Sequence, residues 1–470
     1  MLSASTRFVG REEELRAMEE LYAAEGFQML VLYGRRRVGK TMLVEQFIQK
    51  KKSLMFTAQL QADADNLADF SQTVFAQFDM PASTPPFATW KSAFSFIAER
   101  AGDRRLVVVF DEFPYACRVN PALSSTLQVA IDGQLKDTNI MLVLCGSNQG
   151  FMEQEVLGEK SPLYGRRTAQ LKLRPFDFFD AVKMMPHVSA AEQFSYYASL
   201  GGTPYYLAGI DYTKSYVENM VALYFSRTGR MFDEPAMFMR QELREPAVFN
   251  SVLRAIASGA NKRQEIADRI GVPSQTIGFY LDTLVSLDVV DRAVPFGEDE
   301  RSRRAIYRVK DPAFSFWYRF VAPYMSAIEN GTGARTAERL LGDERRMEYE
   351  GHQFEAVCRQ WVARQARDGR LPIEVTEISS WWGTDPVARE QVDIDVVAAD
   401  EIEKTLVVGE CKWRNQVDAS AAVRVLRGRS ALIRGYDVRG CYLFTKSRLD
   451  LAVAERLGEG VHVVSVGEML

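Results

Sequence analysis

The sequence is poor in the side chains that usually bind transition metals or form disulfides. It has only three histidines and five cysteines in 470 residues, and no two cysteines are spaced as CxxC. Because the histidines are scattered singly, a zinc site is not expected. The cysteines are expected to be reduced and structural. Any metal chemistry in this chain should therefore use carboxylates.

Long apolar runs and a strong net charge are absent as well. The longest apolar runs, such as residues 106–110 and 141–145, are far shorter than the roughly 18 residues that cross a bilayer. The amino terminus lacks the basic region and apolar stretch of a secretory signal. We therefore expect a cytoplasmic protein with no membrane partner. A net charge of −4 gives no global attraction to nucleic acid, so such binding would need local basic faces.

Apolar residues are plentiful, at 47%, and the chain is long enough for about three cores. Between residues 28 and 174, short apolar runs alternate with amphipathic stretches, which predicts an α/β fold with a parallel sheet covered by helices. The predicted strands are residues 29–33, 54–58, 106–110, 140–145 and 170–173. After Pro175 the pattern becomes helical.

A phosphate-binding loop is predicted between the first strand and the helical run at residues 42–49. The pattern GxxxxGK followed by Ser or Thr is matched by Gly34, Arg35, Arg36, Arg37, Val38, Gly39, Lys40 and Thr41. In such a loop, backbone N–H groups surround the phosphates at a helix N-terminus, Lys40 contacts the β and γ oxygens, and the Thr41 hydroxyl can ligate Mg²⁺. The sequence thus predicts ATP and Mg²⁺ as cofactors.

Two acidic residues, Asp111 and Glu112, follow the apolar run at residues 106–110. Asp111 is predicted to hold Mg²⁺ through water, and Glu112 to orient the attacking water. Taken alone, an apolar run ending in Asp-Glu is often only a strand meeting its loop. Its place after a phosphate-binding loop favours the functional interpretation.

Several short motifs in order along the chain resemble the archaeal and bacterial STAND-type ATPases, which are related to AAA+ proteins. The resemblance covers about residues 7 to 240. The motifs are Phe8-Val9-Gly10-Arg11-Glu12, Asp111-Glu112, Gly146-Ser147, Ser161-Pro162-Leu163-Tyr164-Gly165-Arg166 and Gly201-Gly202-Thr203-Pro204. The resemblance implies that Val9 and Gly10 lie near the nucleotide base. It also implies that Ser147 or Asn148 senses the γ-phosphate.

The same resemblance gives roles to residues further along the chain. Arg166 or Arg167 matches the trigger arginine, whose guanidinium neutralises charge during phosphoryl transfer. The alternative is an ordinary exposed charge. Pro204 would read the nucleotide state and move the helices that follow. Since trigger arginines often act across subunits, a homo-oligomer is compatible with this interpretation.

Residues 262–277 have the helix, glycine-containing turn and helix of a helix-turn-helix, which predicts a winged helix over residues 246–311. The second helix, predicted at 273–287, would offer Ser274, Gln275, Thr276 and Tyr280 to a DNA groove. A basic wing would carry Arg301, Arg303 and Arg304. The alternative is a packing module, because Glu298, Asp299 and Glu300 cancel the charge of the wing.

A carboxylate cluster is predicted near the carboxyl terminus. Asp395 lies in a strand-like run, and Glu410 and Lys412 lie on one face of the next strand because successive strand side chains alternate. Two carboxylates on adjacent strands can bind Mg²⁺, and the lysine can position water and stabilise phosphate charge. Glu355 would complete the metal site from an earlier helix, and Asp393 offers a rival to Asp395.

This order resembles the PD-(D/E)XK nuclease superfamily over about residues 345 to 450. The resemblance implies a restriction-endonuclease-like α/β domain that cleaves DNA with Mg²⁺. The chain departs from the superfamily pattern because no proline precedes Asp395, and some members keep the fold without activity. Five later arginines would form a phosphate track or a solvated helix face: Arg424, Arg427, Arg429, Arg434 and Arg439.

The sequence as a whole predicts an ATP-hydrolysing switch that controls Mg²⁺-dependent DNA cleavage. The alternative is a signalling ATPase that binds DNA or a protein and has a silent nuclease-like fold. The predicted segments are a P-loop ATPase core at 1–175, a helical lid at 176–245, a winged helix at 246–311, a connector at 312–344 and the nuclease-like domain at 345–470.

Overall fold

The computed structural model describes residues 8–243 and 245–470. It divides into two compact units, Met1–Pro175 and Phe176–Leu470. Throughout the described ranges, every helix is too short or too polar to span a bilayer.

The first unit is built around a five-stranded parallel sheet with the order β2-β3-β4-β1-β5. Its strands are β1 Gln28–Tyr33, β2 Ser53–Thr57, β3 Leu106–Asp111, β4 Ile140–Gly146 and β5 Ala169–Lys172. Strands β3 and β4 are buried along their whole length, which explains their continuous apolar sequences. All five predicted strands are present, and the predicted parallel α/β fold is confirmed.

Helices cover both faces of this sheet. They are α1 Glu12–Ala23, α2 Lys40–Ile48, α3 Asp63–Gln77, α4 Trp90–Ala101, α5 Phe113–Val119, α6 Leu123–Gly133 and α7 Gln149–Phe151. Alternate residues of β1 enter two different apolar clusters, with Met29 and Val31 on one face and Leu30 and Leu32 on the other. The sheet therefore forms the centre of a three-layer unit.

The second unit begins with helices and a hairpin. The helices are α8 Phe178–Ala181, α9 Ala190–Leu200, α10 Pro204–Leu207, α11 Tyr216–Tyr224, α12 Glu234–Glu242, α13 Pro246–Ala257, α14 Arg263–Ile270 and α15 Ser274–Ser286. Capping boxes start α9 at Ser189 and α11 at Ser215. Strands β6 Val290–Ala293 and β7 Ile306–Val309 then pair antiparallel.

A mixed five-stranded sheet forms the carboxyl-terminal part of this unit, with the order β12-β11-β10-β9-β8. The preceding helices are α16 Pro312–Phe316, α17 Met325–Glu329, α18 Gly333–Leu340 and α19 Asp343–Arg367. The remaining elements are β8 Glu377–Thr384, β9 Gln391–Asp400, β10 Thr405–Lys412, α20 Ala419–Ser430, β11 Asp437–Thr445, α21 Leu451–Glu455 and β12 Val461–Ser465. Strands β8, β9 and β10 are antiparallel, whereas β10, β11 and β12 are parallel.

The loop between β6 and β7, residues 294–305, is attached to this sheet. Phe296 is buried in the apolar core formed by β9, β10 and α20, and its N–H donates to the Ser380 carbonyl at 2.9 Å. Arg304 donates to the Trp382 carbonyl and pairs with Glu298. The hairpin loop thus packs on β8, and Arg304, a predicted phosphate contact, is engaged within the chain.

Candidate active sites

The phosphate-binding loop curls between β1 and α2, and its glycines are required by geometry. Gly34 has φ 151° and Gly39 has φ 93°, values that favour residues without a Cβ. A Cβ at Gly34 would lie 2.2 Å from the Leu173 carbonyl oxygen. Helix α2 begins at Lys40, so its first N–H groups face the concave side of the loop. This arrangement fits a phosphate group.

Lys40 is buried in this loop, and its ammonium donates to the carbonyls of Gly34 at 2.9 Å and Arg35 at 3.0 Å. Burial lowers the pKa of Lys40, and the nearby Asp111 and Glu112 carboxylates oppose that shift. A buried cation hydrogen-bonded to carbonyls would be stabilised further by an anion. The environment of Lys40 therefore fits the β and γ oxygens of a nucleotide.

The acidic residues at the end of β3 are connected to the loop by hydrogen bonds. The Thr41 hydroxyl donates to Asp111 Oδ2 at 3.2 Å, and the Glu112 N–H donates to Asp111 Oδ1 at 3.0 Å. A hydroxyl and a carboxylate are ligands that suit Mg²⁺. The contact between Thr41 and Asp111 is thus compatible with the predicted Mg²⁺ site, which stays a prediction.

Glu112 is held in place by the end of β4. Ser147 donates to Glu112 Oε2 through its hydroxyl at 2.8 Å and its N–H at 3.3 Å. Glu112 has φ 50°, an unusual value for this residue type. The Asn148 side chain instead accepts from the Phe151 N–H and caps α7. Of the two sensor candidates, Ser147 is the one in contact with the acidic pair.

Arg11 is a site residue that the sequence patterns did not single out. Its guanidinium is buried and donates to the carbonyls of Val38 at 3.1 Å and Arg174 at 2.7 Å. Gly10 and Arg11 both have left-handed φ values near 67°. These contacts attach the segment of Val9 and Gly10 to the phosphate-binding loop. The only sequence signal for this role is the arginine within the Val-Gly-Arg-Glu motif.

The backbone of Arg166 and Arg167 lies near the start of β1, whereas the phosphate-binding loop follows the end of β1. They precede β5, which runs parallel to β1, and Thr168 donates to the Met29 carbonyl at the start of β1. Arg166 makes a two-pronged ion pair with Asp132 at 2.9 and 2.7 Å, and Arg167 donates to the Leu157 carbonyl. A trigger role for either arginine, within its own chain or in a neighbouring subunit, stays a prediction.

Pro204 begins α10 in the second unit, after a turn that requires glycine. Gly201 has φ 64°, and a Cβ at Gly202 would lie 1.8 Å from the Phe176 carbonyl oxygen. The Phe176 N–H donates to the Gly202 carbonyl at 2.8 Å. The predicted break between helices is confirmed, whereas the sensing role of Pro204 stays a prediction.

The second candidate site lies where β9 and β10 pair. Gly409 is opposite Val396, the Cys411 N–H donates to Asp395 Oδ2 at 2.8 Å, and Lys412 Nζ pairs with Glu410 Oε1. The spacing of two residues therefore places Glu410 and Lys412 on one face, as predicted. Asp395 is partly buried, whereas the Asp393 side chain is 68% exposed and contacts Arg429. The geometry favours Asp395 over its rival.

Carboxylates are crowded at this site. Burial, together with Glu355 and Glu410, raises the pKa of Asp395 to about 7. Glu410 Oε2 is buried and has no hydrogen-bond partner in residues 8–243 and 245–470, although Arg429 Nη1 lies 3.9 Å away. A divalent cation would relieve the repulsion between Asp395 and Glu410, so this pair fits Mg²⁺.

Glu355 is held by cations from its own unit. Arg308 of β7 and His352 each approach its carboxylate to 3.4 Å. Burial alone would raise the pKa of Glu355, but His352, Arg308 and Arg359 outweigh burial and lower it. Within the described chain, no three His, Cys, Asp or Glu side chains are grouped to hold a metal ion. The structure thus brings Asp395 and Glu410 together, while Glu355 is paired with arginine.

The predicted phosphate track is partly engaged in contacts of its own. Arg427 donates to the Glu459 carbonyl at 3.0 Å, Arg429 to the Asp393 carbonyl at 2.9 Å, and Arg439 pairs with Asp437 at 3.1 Å. Arg424 and Arg434 are exposed. Three of the five arginines predicted to bind phosphate therefore make contacts within the chain. Arg429 lies close to the carboxylates of Asp393 and Glu410.

Two parts of the chain match known families. Residues 8–210 match an ATPase domain found predominantly in Archaea, and residues 317–423 match a family of archaeal and bacterial proteins of unknown function. The uncharacterized protein MJECL04 of Methanocaldococcus jannaschii is 29% identical over 450 residues, which are 94% of this chain and 96% of that protein.

Two further comparisons concern nucleotide-binding proteins. The uncharacterized ATP-binding protein MJ0423 of M. jannaschii is 49% identical over 45 residues, which are 10% of this chain and 76% of that protein. The Walker-type ATPase PABY2304 of Pyrococcus abyssi shares the fold, with 22% identity and a TM-score of 0.51 over 68% of this chain and 100% of that chain. Residues 8–210 therefore carry the sequence, the fold and the phosphate-binding loop of a P-loop ATPase domain.

Proposed function

We propose that this ATPase domain is a switch that controls Mg²⁺-dependent cleavage of DNA by residues 345–470. The observation that carries the proposal is the meeting of Asp395, Glu410 and Lys412 at the end of the paired strands β9 and β10. Two adjacent carboxylates beside a lysine are suited to hydrolysis of a phosphodiester.

At the ATPase site, Lys40 would bind the β and γ oxygens of ATP, and Thr41 and Asp111 would hold Mg²⁺, which when bound would neutralise phosphate charge. Glu112 orients the attacking water, and its bonds to Ser147 fix its carboxylate. The first unit therefore has the groups for hydrolysis except the trigger arginine, which a neighbouring copy of this chain would supply.

At the nuclease site, Asp395 and Glu410 would hold Mg²⁺, which when bound supplies positive charge to the attacked phosphate. Lys412 orients water and stabilises charge on the phosphate oxygens. The fold supports this assignment, because α19, three antiparallel strands, α20 and the parallel strand β11 follow one another as in a restriction-endonuclease-like domain.

DNA would be contacted by α15, the second helix of the proposed winged helix. Its exposed side carries Gln275, Thr276 and Phe279, the last of which is 67% exposed. Tyr280, predicted to reach the groove, is instead half-buried. An exposed aromatic ring between polar side chains can contact thymine methyl groups in the major groove.

A second candidate function is a signalling ATPase whose nuclease-like fold is silent. It is favoured by the pairing of Glu410 with Lys412 and the closeness of Arg429, since these cations already neutralise the carboxylate. The lack of a three-ligand cluster in the described part of the chain points in the same direction.

The two functions are separated by a cleavage assay on plasmid and oligonucleotide DNA with Mg²⁺ or Mn²⁺, in ATP, in ADP and without nucleotide. We expect Asp395→Ala and Lys412→Ala to lower the rate by at least about 100-fold. Asp393→Ala is the matched control, because it removes a carboxylate from the same face of the same strand and should leave the rate within a few fold of wild type.

Each result has a distinct meaning. Loss of cleavage in Asp393→Ala but not in Asp395→Ala would transfer the metal site to the rival residue. No cleavage by the wild type in any nucleotide, with ATP still hydrolysed, would establish the silent fold instead.

A further inference from the structure

A buried hydrogen bond lies directly behind the proposed nuclease site. Trp413 Nε1 donates to Glu350 Oε2 at 2.6 Å, and the two residues are only 3% and 1% exposed. The other carboxylate oxygen, Glu350 Oε1, has no hydrogen-bond partner among the described residues. Arg346 Nε lies 3.7 Å from it. A carboxylate is thus enclosed in the protein with one oxygen bonded to an indole.

Stability alone does not account for this contact. Removing a carboxylate from water is costly, and burial raises the pKa of Glu350. A pair of well-packed apolar residues in its place would often be equally or more stable. The bond between Trp413 and Glu350 is therefore better explained by the geometry that it imposes.

That geometry concerns Lys412, which immediately precedes Trp413. Lys412 is the last residue of β10, so anchoring the indole of the next residue restricts the backbone from which the lysine side chain projects. The Trp413 ring packs against Phe194 of α9, with centroids 4.1 Å apart, and Phe354 of α19, at 4.9 Å. Phe194 and Phe354 also contact each other at 5.4 Å. The end of β10 is thus held by two helices, α9 and α19, that both come earlier in the chain.

Helix α9 connects this aromatic cluster to the turn that begins at Gly201. Its last residues are held by α19, since Tyr349 donates to the Ala198 carbonyl at 2.8 Å and Gln360 to the Tyr197 hydroxyl at 3.3 Å. Immediately after α9 comes Gly201-Gly202-Thr203-Pro204. A displacement of this turn would be transmitted along α9 to Phe194, because a packed helix moves as a rigid element.

We propose that Trp413 is a positioning residue for Lys412, and that its position is set by Phe194 of α9 together with Glu350 of α19. Nucleotide-dependent movement of α9 then moves Lys412 into or out of its working position. This role for Trp413 rests on the proposed nuclease function, and it would make cleavage at Asp395, Glu410 and Lys412 depend on the bound nucleotide.

The test compares substitutions that remove the bond with substitutions that keep it. Trp413→Phe retains an aromatic ring but loses the N–H donor, and Glu350→Leu removes the acceptor. Glu350→Gln retains an acceptor of the same shape. Trp317→Phe is the matched control, because Trp317 is equally buried in the same unit and donates to the Phe232 carbonyl at 2.7 Å.

We expect Trp413→Phe and Glu350→Leu to lower kcat for Mg²⁺-dependent DNA cleavage by about tenfold or more with little change in KM. In both variants the ratio of the rates in ATP and ADP should fall towards one. Glu350→Gln and Trp317→Phe should retain the wild-type kcat and ratio. Equal losses in Trp413→Phe and Trp317→Phe would overturn the inference, since any buried tryptophan would then have the same effect.

A second readout does not depend on cleavage. Hydrogen exchange at residues 410–413 should differ between the full-length protein bound to a non-hydrolysable ATP analogue and to ADP, and Trp413→Phe should abolish the difference. If the wild type does not cleave DNA but this pattern is found, the nuclease function fails and the positioning role stands. If hydrogen exchange at residues 410–413 is the same with the ATP analogue and with ADP, the positioning role is wrong, whether or not the protein cleaves DNA.

Discussion

Lys40 is the charged side chain whose surroundings most directly indicate a ligand. Its ammonium is buried, and its hydrogen bonds go to loop carbonyls rather than to a carboxylate. The cation is therefore available to phosphate oxygens at short range. We therefore expect nucleotide binding to depend strongly on the Lys40 side chain.

We expect Lys40→Ala to weaken ATP binding by about 100-fold, the effect of losing roughly 3 kcal/mol of charge-assisted contacts. The fold should be retained, because removing a buried cation removes a desolvation cost as well. Binding of a fluorescent ATP analogue measures the change. Lys50→Ala, at an exposed position just after α2, is the control and should bind normally. Normal binding by Lys40→Ala would refute the assignment of the phosphate-binding loop.

At the scale of elements, the hairpin loop and α15 have different surroundings although both belong to the proposed winged helix. Phe296 of the loop is part of an apolar core, whereas Phe279 of α15 is exposed. A charged loop that looked like a basic wing in the sequence is thus an attachment to the neighbouring sheet. Under the proposed function, DNA would therefore be contacted by α15 rather than by this loop.

This difference predicts opposite results for two substitutions of the same chemistry. Phe296→Ala should lower the free energy of unfolding by about 3 to 5 kcal/mol, because it leaves a cavity in a packed core. Phe279→Ala should change it by less than about 0.5 kcal/mol but weaken binding to duplex DNA. Urea unfolding and a DNA-binding titration measure the two effects. An unchanged stability of Phe296→Ala would show that the loop is not anchored.

The elements that the sequence revealed are those with strong local signals. The strands of the first sheet are continuous apolar runs, and the phosphate-binding loop begins with Gly34, where a Cβ would clash with the Leu173 carbonyl. Strands β8, β11 and β12 were not predicted. In β8, nearly every residue is half-buried, so no alternation of apolar and polar residues marks it.

The candidate nuclease site also contains some features that the sequence predicted and others that it did not. Spacing along the chain predicted that Glu410 and Lys412 share a face with Asp395 nearby. It did not reveal that Arg308 pairs with Glu355 or that Arg429 approaches Glu410. These contacts join residues far apart in sequence and depend on how the strands and helices pack. Local patterns contain no information about them.

At the scale of the whole molecule, the position of Arg166 bears on assembly. Within its own chain its backbone lies near the start of β1, whereas the phosphate-binding loop follows the end of β1, and its side chain is paired with Asp132 on the surface. An exposed pair of this kind contributes little to stability and can exchange partners. A head-to-tail arrangement of subunits would bring it to a second nucleotide site.

We expect Lys40→Ala and Arg166→Ala to lack ATPase activity separately and to regain part of it when mixed. In mixed assemblies, intact loops from one variant meet intact arginines from the other, at about one quarter of sites by random head-to-tail pairing. Steady-state phosphate release measures the recovery. Mixing Lys40→Ala with the double variant Lys40→Ala/Arg166→Ala is the control and should give none. No recovery in the first mixture, despite assembly, would exclude action across subunits.

The burial of Phe296 also limits how this chain can be divided. If the chain were cut between the β6–β7 hairpin and the connector, Phe296 would be exposed on the first fragment. The apolar core of the second fragment would be left with a cavity. We therefore expect the helix-turn-helix segment and the carboxyl-terminal sheet to be inherited together, because they share this core.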